Sequence, residues 1–125
     1  MNKSELKEKV PLNVLWVDDN FIISESANIL VEFIGHKCDN VMNAHDALKH
    51  LDKNSYDVVF TDIGMPDMNG WELADAIREK YGDSIKIIAV TGWNIEDPIK
   101  EKHGINLVLQ KPFTLDQLKE TFLML

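Results

Sequence analysis

Asn13-Val14-Leu15-Trp16-Val17-Asp18-Asp19-Asn20 is the stretch on which the fold turns. An uninterrupted apolar run gives way at once to two carboxylates and an amide. A strand without a polar face is buried on both sides, as central strands of parallel sheets are. Working outward, the same pattern recurs. Residues 57–60 lead into Thr61-Asp62, residues 85–90 into Thr91, and residues 106–109 into Gln110-Lys111-Pro112. If these runs are parallel strands, all four polar ends leave the sheet at one edge, where open α/β sheets bind ligands.

The stretches between the runs read as helices. Ile23, Ala27, Leu30, Val31 and Ile34 recur at helical spacing, and Gly35 offers a stop. Residues 36–41 form a weaker strand. Asn43 is placed to cap a helix through Leu51. A loop carrying Gly64, Pro66, Asn69 and Gly70 precedes a helix over 71–81, with Leu73, Ala74 and Ile77 inward and Gly82 as its stop. Pro98 is tolerated only in a first turn, so the fourth helix starts near Glu96 or Asp97. Thr114 caps the last helix, over 114–123. Strand and helix thus alternate five times. Right-handed crossovers then predict a flavodoxin-like, doubly wound α/β sandwich with a five-stranded parallel sheet in the order 2-1-3-4-5. Residues 1–12 read as a polar leader and 13–125 as one domain. Asp18, Asp19 and Asp62 are expected to line the crevice between strands one and three.

The chain has 125 residues and a formal net charge of −8. That length suits one domain burying roughly two-thirds of its unfolded surface. The acidic balance argues against direct nucleic-acid binding, which needs clustered Lys and Arg. No apolar stretch is long enough for membrane insertion, and the N-terminus lacks the apolar middle of a signal peptide. Cys38 is the single cysteine, so no intrachain disulfide forms and a cytoplasmic setting is expected.

Carboxylates gathered at one edge repel unless a cation neutralises them. Hard oxygen ligands of this kind suit Mg²⁺ or Mn²⁺. Asp62 has the chemistry to attack phosphorus as a carboxylate nucleophile. Thr91 would hydrogen-bond a phosphoryl oxygen and Lys111 neutralise another. Taken singly, each residue has an ordinary alternative: Asp18-Asp19 as a helix cap, Asp62 as a turn residue, Thr91 as a strand end, Lys111 as a solvated charge. Agreement of four strand ends around one crevice is what favours chemistry. His36, His45, His50 and His103 have no metal-ligand spacing and read as surface or edge residues.

These residues resemble the receiver domain of two-component response regulators. The resemblance rests on Val17-Asp18-Asp19-Asn20, on residues 61–70 (Thr-Asp-Ile-Gly-Met-Pro-Asp-Met-Asn-Gly) and on Lys111-Pro112-Phe113. It implies that Asp62 accepts a phosphoryl group from a histidine kinase or histidine phosphotransfer protein, with the domain catalysing its own Mg²⁺-dependent phosphorylation and dephosphorylation. It further implies that Asp18, Asp19, Asp62 and the backbone carbonyl of Gly64 hold the metal. By the same resemblance Thr91 is the switch hydroxyl, Lys111 the counter-ion, and the Lys111-Pro112 bond cis. The downstream partner is a protein that the sequence does not name. A phosphorylation-independent interaction module of the same fold is the alternative. A haloacid-dehalogenase-type phosphatase would need Asp-x-Asp at the first strand, which Asp18-Asp19 does not supply.

Two departures stand out. Receivers commonly have an aromatic residue three positions before the lysine, where this chain has Val108. Thr91-Gly92-Trp93 is closer to receivers of hybrid sensor kinases. Two positions after Asp62 stands Gly64, which has no side chain, while Trp93 holds the corresponding place after Thr91 and is expected to cover the site and limit attack by water. The chain ends at Leu125, so either it signals through protein contacts alone or it is one domain of a longer protein.

Overall fold

A computed structural model of the protein describes residues 11–125. Of the expected leader, residues 1–10 lie outside the described residues, Pro11 is exposed and Leu12 is buried. The strands are β1 (Asn13–Val17), β2 (Lys37–Val41), β3 (Val58–Asp62), β4 (Lys86–Thr91) and β5 (Leu107–Gln110). The helices are α1 (Phe21–Ile34), α2 (Ala44–Lys53), α3 (Gly70–Tyr81), α4 (Asp97–Lys102) and α5 (Leu115–Leu123). All strand pairings are parallel and the order is β2-β1-β3-β4-β5. The expected flavodoxin-like sandwich is the fold observed.

Period-two alternation divides the central strands between two cores. Leu15, Val17, Val59, Ile87 and Ala89 pack with Ala47 and Leu51 of α2 and with Leu73, Ala74 and Ile77 of α3. Val14, Trp16, Val58, Phe60, Ile88 and Val90 face Ala27 and Val31 of α1 and Leu118 and Phe122 of α5. Trp16 stacks on Phe60 with ring centroids 4.6 Å apart. It is core, as its place in an all-apolar strand requires.

Three strands are displaced one residue towards the polar edge relative to the strands 57–61, 85–90 and 106–109 expected from the sequence. β3, β4 and β5 begin at Val58, Lys86 and Leu107 and end at Asp62, Thr91 and Gln110. Hydrophobicity cannot see this shift, because the ladder continues through polar residues whose backbones are paired. Asp62 is in register with Val90 and Thr91 with Gln110. The candidate site side chains on β3 and β4 therefore stand on the sheet itself.

α3 likewise starts one residue earlier than expected, at Gly70. Asn69 is its cap: its side chain accepts from the Glu72 N–H, and Glu72 reaches back to the Asn69 N–H. Gly70 is held against the loop after β3, donating to the Ile63 carbonyl at 2.9 Å. A Cβ there would lie 2.4 Å from the Asp62 carbonyl oxygen. Only glycine lets the helix start so close to Asp62.

Two histidines depart from the surface reading. His36 Nδ1 accepts the Leu12 N–H at 3.0 Å, and its ring lies 4.5 Å from that of Phe122. His103 meets Asp75 at 2.8 Å and rests against Trp71. Both tie elements together over long sequence separations that no local pattern reveals. Cys38 is buried, and burial pushes its thiol up to about 12.

Candidate functional site

β1 and β3 deliver the acidic residues side by side. Val17 is paired with Thr61, so the next residue on each strand, Asp18 and Asp62, emerges at nearly one level. One carboxylate oxygen from each of Asp18, Asp19 and Asp62 lies within 4.8 Å of the others. Asp18 is buried, Asp62 half-buried and Asp19 exposed.

The helix-cap alternative for the acidic pair fails, because Asn20 performs that task. Its Oδ1 accepts the Ile23 N–H at 3.1 Å. Asp18 is instead fixed in place. Its Oδ1 accepts the Asn20 N–H at 2.9 Å, its own N–H donates to the Val41 carbonyl, and Ser24 Oγ donates to its carbonyl at 3.2 Å. Asn20 and Ser24 are positioning residues that the sequence reading overlooked; Asn20 stands in the right place beside the acidic pair, but Ser24 has no sequence signal.

Lys111 reaches into the same pocket from β5. Its Nζ donates to Asp18 Oδ2 at 3.1 Å and lies 3.3 Å from Asp62 Oδ1. The Lys111-Pro112 peptide bond is cis, as the resemblance implies. Burial pushes the Asp18 carboxyl up, against the lowering effects of the Asn20 N–H and of Lys111. For Lys111, burial alone acts downward, but the bond and charge of Asp18 with the charge of Asp62 outweigh it and hold the ammonium above its ordinary value. The pocket thus has more negative charge than one lysine offsets. Its three hard oxygens fit a divalent cation that keeps several of its waters.

Thr91 stands apart from this cluster. Along β4 it follows Ile87 and Ala89, whereas Asp62 follows Val58 and Phe60 on the opposite face of the sheet. Its hydroxyl accepts the Trp93 N–H at 3.0 Å. Among the described residues no hydrogen bond joins that hydroxyl to Asp62 or Lys111, although the Thr91 carbonyl accepts the Lys111 backbone N–H at 2.8 Å. The Trp93 ring lies over the loop after β3: a Cβ on Gly64 would sit 3.6 Å from Trp93 Cη2. Trp93 is nonetheless 61% exposed. Val108 is in register with Ala89 and packs partly buried on the α2/α3 side, with no aromatic ring in its place.

A doubly wound α/β domain with an acid-rich pocket and a convergent lysine at its topological switch point is what fold and geometry together define. The chain belongs to the response regulator receiver domain family, whose model matches residues 14–123. It is a receiver of two-component signalling. Over 110 residues it is 33% identical to the sensor histidine kinase RcsC of Salmonella typhi, covering 86% of this chain and 12% of that kinase. Hybrid signal transduction histidine kinase L of Dictyostelium discoideum is 39% identical over 70 residues, 54% of this chain and 4% of that protein. The chain therefore spans a small part of these relatives' length. Among solved structures, chemotaxis protein CheY4 of Vibrio cholerae superposes with a TM-score of 0.86 at 25% identity, covering 91% of this chain and 98% of that one. A CheY-like receiver domain from Methylobacillus flagellatus gives 0.83 at 27% identity, covering 91% and 98%. Among the described residues no helix is long and apolar enough to cross a membrane.

Proposed function

We propose that Asp62 accepts a phosphoryl group from the phosphohistidine of a histidine kinase or histidine phosphotransfer protein, and that the phosphorylated chain then changes its protein contacts. The observation that carries this reading is Lys111 Nζ held 3.1 Å from Asp18 and 3.3 Å from Asp62 inside the three-carboxylate cluster. One Asp62 oxygen attacks phosphorus, the bond from phosphorus to the donor imidazole breaks, and its electron pair returns to the ring nitrogen. Lys111 offsets the charge on the oxygens in transfer, and Thr91 is the hydroxyl assigned to a phosphoryl oxygen by the family resemblance. Asp18, Asp19, Asp62 and the Gly64 carbonyl are the oxygens for Mg²⁺ or Mn²⁺, whose charge makes the anionic phosphoryl group tolerable beside carboxylates.

The donor surface is read from α1. Beside Lys111 opens a groove of about 480 Å³ lined by Ile22, Ile23, Ser26, Leu30, Pro112 and Phe113. Phe21, Ile22, Ile29 and Phe33 are exposed along the same helix. An apolar strip bordering the acceptor pocket is where a protein donor gains contact area.

The test is intact mass after incubation with Mg²⁺ and a small acyl phosphate. Wild type gains one phosphoryl group and Asp62→Asn gains none. Wild type that binds Mg²⁺ but gains no mass would refute the acceptor role. That result would favour a contact-only module, the reading to which Val108 in place of an aromatic lends support.

A further inference from the structure

We propose that Asn69-Gly70 is a site of covalent modification, a deamidation site that the cap of α3 holds closed. The inference is independent of the acceptor role argued above. An asparagine side chain is attacked at Cγ by the backbone nitrogen of the next residue, and glycine, with no Cβ, hinders that approach least. Asn69-Gly70 is the one such pair in the chain. The Gly70 nitrogen loses its proton and bonds to Asn69 Cγ, the bond from Cγ to the side-chain nitrogen breaks, and ammonia leaves. Water then opens the cyclic imide at either carbonyl, giving aspartate or isoaspartate at position 69 with a net gain of one mass unit.

The groups that must react are engaged at rest. The Gly70 N–H donates to the Ile63 carbonyl at 2.9 Å. Asn69 Oδ1 accepts the Glu72 N–H at 2.9 Å, and the Asn69 N–H donates to Glu72 Oε1 at 3.1 Å. Asn69 stands at ψ 176°, and closing the ring requires a turn about that bond. Pro66 and Asp67, just before the cap, are exposed, so water has access once the cap opens. The two products differ in consequence. Aspartate still offers an oxygen to the Glu72 N–H. Isoaspartate inserts a methylene into the main chain where Gly70 is pressed on the Asp62 and Ile63 backbones. That product moves the start of α3 away from Asp62.

Peptide mass mapping of protein aged at fixed pH, with isoaspartate assayed at position 69, tests the closure. Native wild type is expected to deamidate there about tenfold or more slowly than the same chain unfolded in guanidinium chloride. Glu72→Ala, which removes half of the cap, is expected to accelerate the native rate about threefold or more, and Glu72→Gln to stay near wild type. Thr114→Ala breaks the matching cap of α5 and is expected to leave the rate at Asn69 unchanged. Equal rates in native and unfolded wild type would overturn the proposal, as would an Asn69 that stays intact in the unfolded chain. No acceleration in folded Glu72→Ala, or equal acceleration in Thr114→Ala, would remove the α3 cap as the closure. In the separated isoaspartyl fraction the Gly70 amide is expected to lose its hydrogen-exchange protection, while Asn69→Asp retains it. Protection in both would refute the displacement of Gly70. Should Glu72→Ala fail to fold, the native-to-unfolded comparison in wild type decides.

Discussion

At the scale of single residues, the site owes its geometry to groups that do no chemistry. Asn20 relieves Asp18 of capping α1, Ser24 pins the Asp18 carbonyl, and Gly70 lets α3 begin against the Asp62 backbone. A buried carboxylate is costly unless positive charge is supplied. Asp18 has Lys111 at 3.1 Å, but that one ammonium also faces Asp62 at 3.3 Å. Three carboxylates around it are an argument for a further cation. Trp93 is the residue whose role is most open to measurement. Its ring lies beside Gly64, and a ring there that excluded water would slow hydrolysis of an acyl phosphate. Trp93→Ala is expected to shorten the half-life of the phosphorylated protein by about threefold to tenfold. A decay assay at fixed Mg²⁺ reads this directly; an unchanged half-life would dismiss the shielding role.

At the scale of elements, α1 is unusual in having apolar residues on both faces. Ala27 and Val31 face the core, while Ile22, Ile29 and Phe33 face outward. A surface helix ordinarily turns polar residues to water. Helical periodicity found the inward face but gave no reason for the outward one. Ile29→Glu is expected to weaken phosphoryl transfer from a protein donor about tenfold more than it weakens labelling by acyl phosphate, tenfold being ~1.4 kcal/mol of docking energy. Equal losses with the two donors would show that this face does not dock the donor. β3 and β4 carry a second lesson at this scale. Of their last residues, Asp62 reads in sequence as a turn residue, and Thr91 follows the end of the apolar run over 85–90. The ladder holds them because backbone pairing is indifferent to side-chain polarity.

At the scale of the whole molecule, the core between the sheet and α1 and α5 is closed at the end away from the acidic pocket by His36, which joins Leu12 to Phe122. The Leu12 N–H needs an unprotonated Nδ1. Burial, its largest influence, lowers the His36 pKa below the ordinary imidazole value, with Asp57 opposing. A neutral group favoured by folding contributes stability that is fully present above the unfolded value of about 6.5 and declines as pH falls towards the lowered folded value. Denaturant midpoints are therefore expected to fall between about pH 7 and about pH 5.5 more steeply in wild type than in His36→Asn, which keeps an acceptor without a titrating ring. Parallel pH dependences in the two proteins would remove His36 as the cause.

The sequence by itself determined the architecture. Five apolar runs alternating with capped helical stretches admit few topologies, and right-handed crossover places their polar ends on one edge. It also nominated Asp18, Asp19, Asp62, Thr91 and Lys111, because reactive residues at strand ends are visible in one dimension. Only the tertiary structure decided how they stand together. Asp18 and Asp62 meet because β1 and β3 are neighbours in register, and the Lys111 side chain reaches them from the end of β5, two strands away from β3. Thr91, one residue out of phase on β4, turns to the Trp93 amide instead. The close approach of Gly70 and the tether at His36 likewise came from the fold alone. Distances between strands far apart in sequence depend on packing of the whole sheet, and no local pattern of residues encodes them.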